Sequence, residues 1–109
     1  MGTTKSEIFT IEQNNLATLF KVLGHPARIA IIQHIIKQNA CICTDLVDVL
    51  GLAQATISQH LKELKKIGIL KGAIEGKSVC YCIDLKVWVS IQNEFSSFFN
   101  QNVKIEKCC

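Results

Sequence analysis

The sequence predicts a mainly α-helical domain that carries one small β-hairpin, and three observations support this fold class. Apolar residues recur at the spacing of a helix between residues 11 and 68. The spacing changes to two between residues 69 and 83, as in strands, and a helical pattern returns from residue 85. The chain has 109 residues, 49% of them hydrophobic, which suits one domain with a single core.

The N-terminal part of the chain predicts two helices. The first ten residues have no clear period, whereas from Ile11 apolar residues recur at helical spacing until Gly24 and His25 interrupt them. Pro26 is suited to open a second helix, because the first helical turn leaves backbone N–H groups unpaired and proline has none to lose. This second helix reaches about Gln38, and isoleucines around most of its circumference predict a central buried helix.

A short helix, a tight turn and a longer amphipathic helix follow. The third helix is predicted to begin near Cys43 or Thr44 and to end at Gly51. After a turn of about three residues, the fourth helix begins near Gln54 and stops at Gly68.

Residues 69–74 and 79–83 are predicted to form two short strands around a polar tip at residues 75–78, and a last helix begins near Leu85. The resulting order of elements is that of a winged helix-turn-helix, a DNA-binding module. We divide the chain into a flexible N-terminal arm, a DNA-binding and dimerisation domain and a flexible tail ending in cysteine, at residues 1–10, 11–100 and 101–109.

The positive charge of the chain is concentrated in the predicted fourth helix and hairpin. Residues 54–78 hold five lysines and two acidic residues, which accounts for the whole net charge of +3. This is the pattern of a surface that binds a polyanion such as DNA, although a solvated lysine-rich helix face would look the same. The predicted DNA-contacting residues are Gln54, Ala55, Thr56, Ser58, Gln59, His60 and Lys62 of the fourth helix and Lys77 and Ser78 of the hairpin tip. For His60, contact with a phosphate and a hydrogen bond that holds the helix to the fold both remain open.

The last helix carries four of the seven aromatic residues of the chain. Its apolar positions alternate in steps of three and four, which predicts a seam for another helix, and a chain this small can hardly cover that seam itself. The predicted homodimer interface consists of Leu16 and Phe20 of the first helix and Trp88, Ile91, Phe95 and Phe98 of the last. Two-fold symmetry would then require an inverted-repeat DNA operator.

Six cysteines occur as three close pairs, Cys41 and Cys43, Cys80 and Cys82, and Cys108 and Cys109. The chain shows neither a signal-peptide pattern nor an apolar run long enough for a bilayer, so we expect a cytoplasmic protein without a membrane partner. Because the cytosol keeps thiols reduced, paired cysteines there favour metal ligation or redox chemistry over a disulfide framework. Cys80 and Cys82 are interpreted as small half-buried hydrophobes beside the hairpin.

Other classes of function fit the sequence less well. It holds no nucleophile with a base and an orienting partner, no glycine-rich phosphate loop and no paired carboxylates, so we do not expect an enzyme. A cysteine-rich metal-buffering protein would explain the thiols but neither the helix-turn-helix nor the basic segment. A repressor of the same fold that senses a persulfide or another thiol oxidant is the second alternative.

Four stretches of the sequence resemble one family, the ArsR/SmtB family of metal-sensing bacterial repressors. They are residues 23–28 (LGHPAR), 52–61 (LAQATISQHL), 64–70 (LKKIGIL) and 76–82 (GKSVCYC), which look like the opening of the second helix, the recognition helix, the exit into the wing and the return strand of the wing. The resemblance covers about residues 12–100. It implies a homodimer that needs no cofactor to bind its operator and that blocks transcription until an inducer binds.

The cysteines depart from the family pattern, in which the third-helix pair is followed at once by Asp-Leu. Thr44 stands between Cys43 and Asp45 here, and a shift by one residue turns a helical side chain by about 100°. Cys43 then faces the core with Leu46 and Leu50, unless the helix begins later and frees the pair.

A second metal site of the family lies on the last helix and needs an aspartate followed two residues later by histidine. The residue two positions after Asp84 is Lys86, and no histidine lies beyond His60. We therefore do not expect this site. Three thiolates can bind trivalent arsenic or antimony, and four can bind cadmium or zinc. The predicted inducer site is Cys41 and Cys43 with one or both of Cys108 and Cys109, for As(III) or Sb(III) first and Cd or Zn second.

Overall fold

The computed structural model describes residues 8–38, 46–73 and 80–104. Its elements are helices α1 (Ile11–Leu23), α2 (Pro26–Gln38), α3 (Leu46–Leu50), α4 (Gln54–Lys66) and α5 (Leu85–Phe99), with strands β1 (Leu70–Ala73) and β2 (Cys80–Ile83) between α4 and α5. The two strands pair in an antiparallel hairpin. The predicted fold class, a mainly helical winged helix-turn-helix, is therefore confirmed.

Local capping determines where the first and last helices, α1 and α5, begin. The Thr10 hydroxyl accepts a hydrogen bond from the Gln13 backbone N–H at 3.0 Å, and the Gln13 side chain accepts one from the Thr10 N–H at 3.0 Å. This capping box satisfies two of the backbone donors that the first turn leaves unpaired. At α5, Asp84 is the N-cap and its carboxylate accepts from the backbone N–H of Lys86 and of Val87.

The core lies where α2, α4 and the hairpin meet. Its largest fully buried side chains are Ile31, Leu64, Ile69 and Tyr81. The prediction that α2 is buried around most of its circumference is only partly right, because Ile29 and Ile36 are about half exposed. Helix α2 is central, but one side of it faces solvent.

Two glycines with positive φ angles lie at the end of α3 and in the hairpin. Gly51 ends α3 with φ +71°, and its N–H donates to the Val47 carbonyl at 2.8 Å. In the hairpin, Gly72 has φ +118° and lies opposite Tyr81. A Cβ atom at Gly72 would stand 2.3 Å from the Cys80 carbonyl oxygen, so the strands approach each other there more closely than any side chain allows.

The described elements differ from the predicted ones at the start of the hairpin. Strand β1 begins at Leu70, one residue later than predicted, and strand β2 ends at Ile83 as predicted. The predicted start of the third helix at Cys43 or Thr44 and the hairpin tip lie outside the described residues. In the parts of the chain that the structure describes, no helix is both long and apolar enough to cross a membrane.

Candidate nucleic-acid interface

Helix α4 presents a polar face to solvent and an apolar face to the core. Ile57, Leu61 and Leu64 are buried, as predicted from their spacing. Among the residues predicted to contact DNA, the structure places five exposed side chains and one half-buried side chain on the solvent side: Gln54, Ala55, Thr56, Gln59 and Lys62, with Ser58 half-buried. Gln54 donates to the Ser58 hydroxyl at 3.3 Å, which aligns the first turn of this face. The face offers amide, hydroxyl and ammonium groups, the side chains that bind base edges and phosphates.

His60 does not belong to this face, which corrects its place in the predicted DNA-contacting set. It is 7% exposed and lies in the same buried stripe as Ile57, Leu61 and Leu64. Its Nδ1 accepts a hydrogen bond from Arg28 Nε at 3.0 Å. Of the two roles left open for His60, the structure therefore supports the one that holds α4 to the rest of the fold.

Arg28 is a structural residue whose role the sequence did not reveal. It lies in α2, donates to His60 in α4, and donates through Nη1 to the Val22 carbonyl in the last turn of α1 at 3.1 Å. The His25 ring lies 4.4 Å from the His60 ring, with the two planes inclined by 56°. His25 in turn caps the start of α2, because its Nδ1 accepts from the Ala27 N–H at 3.1 Å.

The surroundings of His60 favour its neutral form. Burial makes the largest contribution to lowering the pKa of His60 below the ordinary value of 6.5, followed by repulsion from His25 and then from Arg28. The hydrogen bond itself requires an unprotonated Nδ1, since arginine can only donate.

The lysines of the basic segment have different surroundings. Lys62 and Lys71 are exposed, and Lys66 lies 3.7 Å from the Glu63 carboxylate. Lys65 donates to the Gly72 carbonyl at 2.8 Å and so connects α4 to β1. Its charge stays exposed beside the hairpin, but its position is set by the fold. Lys77 and Ser78, the two predicted contacts of the hairpin tip, lie outside the described residues.

An aromatic cluster joins α1 and α5. Phe20 stacks on Phe95 with ring centroids 4.6 Å apart and meets Phe98 and Phe99 edge-on at 5.8 and 6.0 Å. Phe98 is 43% and Phe99 67% exposed. Beside the cluster lies a groove of about 470 Å³, lined by Leu23, Trp88, Ile91, Gln92, Phe95, Ser96, Phe99 and Asn100.

The predicted dimer residues belong to the two helices that carry this cluster, and Ile91 differs from the others in its burial. Leu16, Trp88 and Phe95 are half-buried and Phe20 is partly exposed, so each keeps surface that a partner can cover. Ile91 is only 7% exposed and belongs to the core of the single chain. The predicted seam therefore includes a residue that the chain largely buries by itself, because the spacing of apolar residues does not tell which partner buries them. Phe99, which the predicted seam did not include, is the more exposed of the two phenylalanines at the end of α5.

Comparison with known proteins places the chain in a family. Residues 25–71, from the start of α2 into β1, match the family model described as bacterial regulatory protein, arsR family. The transcriptional repressor PagR of Bacillus anthracis is 32% identical over 80 residues, which is 73% of this chain and 78% of PagR. The chain belongs to the ArsR family.

Other relatives carry the names of metal-resistance regulators. The cadmium resistance transcriptional regulatory protein CadC of Listeria innocua is 30% identical over 80 residues, 72% of this chain and 66% of CadC. The HTH-type transcriptional repressor SmtB of Mycobacterium tuberculosis is 40% identical over 63 residues, 58% of this chain and 46% of SmtB. The match thus spans just under two thirds of CadC and less than half of SmtB. The ArsR family comprises transcriptional regulators, so the expectation that this protein is not an enzyme is confirmed.

The structure describes two of the six cysteines of this ArsR-family chain. Cys80 in β2 is exposed and takes part in a disulfide bond, and Cys82 is half-buried. The interpretation as half-buried hydrophobes fits Cys82 and is wrong for Cys80. The four predicted metal ligands, Cys41, Cys43, Cys108 and Cys109, lie outside the described residues. Within residues 8–38, 46–73 and 80–104, no three His, Cys, Asp or Glu side chains are grouped closely enough to hold a metal ion.

Proposed function

We propose that this protein binds double-stranded operator DNA as a homodimer in the cytoplasm and represses transcription until an inducer that binds cysteine thiolates releases it. The observation that carries the proposal is the exposed polar face of α4, held beside a hairpin in a chain of the ArsR family. In a winged helix-turn-helix this helix enters the major groove and the hairpin lies along the backbone.

We propose that the two glutamines of that face recognise the bases. Gln54 and Gln59 are exposed and carry the amide groups that can pair with adenine, while Thr56 and Ser58 can reach phosphates. The Gln59→Ala variant should lose about 1–3 kcal/mol of binding free energy on a duplex that the wild-type protein enriches from a random library. Gln33, an exposed glutamine of α2, provides the matched control, and Gln33→Ala should bind like wild type. Unchanged affinity in both Gln54→Ala and Gln59→Ala would reject this assignment.

The exposed lysines should contribute affinity without sequence information. Lys62→Ala, and Lys77→Ala at the hairpin tip, should weaken binding to all duplexes alike and each reduce the slope of log affinity against log salt by about one. The measurement is fluorescence anisotropy with the enriched duplex and a scrambled one over a range of salt concentrations. A change in sequence preference would show that the lysine contacts a base instead.

The homodimer is proposed to form through the α1–α5 aromatic cluster. Aromatic side chains that remain exposed after the chain has folded are typical of interface cores. Phe98→Asp should convert a dimer, measured by analytical ultracentrifugation at micromolar concentration, into a monomer. Ile29→Asp introduces the same charge at a similarly exposed apolar residue of α2 and should leave the dimer intact. A wild-type protein that sediments as a monomer would contradict the proposal.

The inducer site is proposed to contain Cys41 and Cys43 with one or both of Cys108 and Cys109. Thiolates are ligands for As(III) and Sb(III) as well as for Cd and Zn, and the CadC relative is named for cadmium resistance. Arsenite, antimonite, cadmium and zinc should each be titrated against the protein–duplex complex. We expect at least one to release the DNA from wild type and to fail with the Cys41→Ser, Cys43→Ser double variant.

The titration needs two further proteins to interpret it. A truncation that ends at Lys107 tests the terminal pair, and Cys82→Ser replaces a cysteine outside the proposed site and serves as control. If the double variant is still released by every agent that releases wild type, the Cys41 and Cys43 pair is not the sensor.

A thiol-oxidant sensor is the second candidate, and the disulfide bond of Cys80 favours it. Cys80 lies in the return strand of the hairpin, opposite Ala73, so oxidation there would act on the element expected to contact DNA. Release of the duplex by an organic persulfide, with no release by metals and none in Cys80→Ser, would replace the metal-responsive proposal by this one.

A further inference from the structure

One side chain joins α1, α2 and the candidate DNA-contacting helix α4. Arg28 of α2 donates from Nη1 to the Val22 carbonyl at the end of α1 and from Nε to His60 Nδ1 on the inner side of α4. The two bonds, at 3.1 and 3.0 Å, use different nitrogens of one planar guanidinium group. The orientation of α4 is therefore linked through a single rigid group to α1, the helix that carries Phe20.

The hydrogen bond from Arg28 to His60 forms in only one protonation state of His60. Arginine stays protonated and can only donate, so Nδ1 must offer its lone pair and the proton of the neutral ring must be on Nε2. Protonation of Nδ1 would bring two N–H groups face to face and add a positive charge against the guanidinium. The contact between α2 and α4 would change from an attraction to a repulsion.

The groups around His60 oppose its protonation. His25 and Arg28, both at the start of α2, lower the pKa of His60 in addition to the effect of burial. Helices α1 and α3 and strand β1 also pack against α4, but no charged group from their described residues contributes. In the described part of the chain no carboxylate forms an ion pair with Arg28, so nothing there offsets the added charge.

We propose that Arg28 and His60 form a proton-sensitive latch that holds α4 in its DNA-reading orientation, so that protonation of His60 releases α4 and weakens sequence-specific DNA binding. This inference rests on the proposed operator binding. His60 acts as a positioning residue, because it lies in the core and does not reach the DNA. The latch makes acidification a second way to release the duplex, independent of the cysteines.

The latch predicts that acidification weakens binding to the enriched duplex, whereas added positive charge alone would strengthen it. Acidification protonates histidines, and added positive charge by itself strengthens binding to any DNA. Loss of the latch should instead weaken binding to the enriched duplex while binding to a scrambled duplex stays constant or increases. Couplings between distant parts of a protein commonly change affinity by about 5–150-fold, and we expect a loss of about tenfold for the enriched duplex.

The test measures the affinity of the full chain for both duplexes by fluorescence anisotropy between about pH 7.5 and pH 5.5, at constant ionic strength and with a reductant present. His60→Asn is the main variant, because the asparagine side-chain oxygen can accept from Arg28 and does not titrate. It should bind like wild type at neutral pH and show no acid loss. His25→Asn removes a neighbour that lowers the pKa of His60, so its acid loss should begin at a higher pH than in wild type. Circular dichroism at each pH verifies that the proteins remain folded.

The outcomes separate the latch from the proposed function. If no duplex is enriched at any pH, the proposed DNA binding itself fails. If wild type binds an enriched duplex with an affinity that does not fall on acidification, or if wild type and His60→Asn lose affinity in parallel, the latch is rejected. Nitrogen NMR of the histidine rings provides a readout that does not depend on any variant. A His60 ring that carries its proton on Nδ1 at neutral pH would overturn the proposal.

Discussion

The close approach of the two strands at Gly72 allows a sharp test of the hairpin geometry. An alanine there would place its Cβ 2.3 Å from the Cys80 carbonyl oxygen and 3.0 Å from the Tyr81 Cα. Both are backbone atoms of the opposite strand, so no side-chain rotation can relieve the overlap and the strands must separate. Because Tyr81 is fully buried, the separation would also disturb the core.

Gly51 provides the matched control for this substitution. It also has a positive φ, at +71°, but a Cβ atom there would meet nothing within 4 Å. Gly51→Ala should therefore show the conformational penalty alone, about 1–2 kcal/mol. Gly72→Ala adds the steric term, and we expect a total loss of about 3–5 kcal/mol in the free energy of unfolding.

Urea and thermal unfolding followed by circular dichroism, with a reductant present, measure both variants on the same scale. A difference of about 2–3 kcal/mol between them corresponds to a difference in Tm of about 10 °C for a domain of this size. The Gly72→Ala protein should also bind the enriched duplex more weakly, since its hairpin is displaced. Equal losses of stability in the two variants would show that Gly72 and Tyr81 do not approach each other as described.

Three further predictions concern stability. Leu64→Ala removes a fully buried side chain and should cost about 2–5 kcal/mol, whereas Leu85→Ala, at an exposed leucine, should stay within about 0.5 kcal/mol of wild type in the same urea unfolding measurement. Thr10→Ala breaks the capping box of α1 and should lower the free energy of unfolding by about 1 kcal/mol. Thr10→Ser keeps the capping hydroxyl and should retain most of the wild-type stability. His60 has a lower pKa in the folded chain than its ordinary value of 6.5, so the unfolded chain takes up the proton first. Its contribution to stability is complete above pH 6.5 and falls as the pH decreases below that value, and a His60→Asn protein whose unfolding free energy declined as steeply would contradict this account.

Several features of the fold depend on neighbouring residues alone. The start of α2 at Pro26, the end of α3 at Gly51 and the start of α4 near Gln54 were all predicted correctly. Each depends on backbone groups within one turn of the residue concerned, so the local sequence contains the relevant energy terms. The buried positions of α4 were predictable for the same reason, because helical spacing determines which side chains share a face.

The burial of His60 follows from its position along α4. Residues 57, 60, 61 and 64 follow the spacing of one helical face, so His60 lies in the buried stripe by position. Its polar side chain left contact with a phosphate open as an alternative, since a buried histidine needs a hydrogen-bonding partner. That partner, Arg28, lies 32 residues away in the chain, and no local pattern connects them.

The sequence by itself determined the class of fold, the order of its elements and the ArsR family, because periodicity, caps and glycines act within a few residues. Only the tertiary structure decided that Ile91 is buried within one chain, that Arg28 joins three helices and that Lys65 reaches the Gly72 carbonyl. These contacts depend on how whole helices pack. An apolar or charged residue has the same local preference whichever element it meets, so its partner is fixed by the fold and not by its neighbours in the sequence.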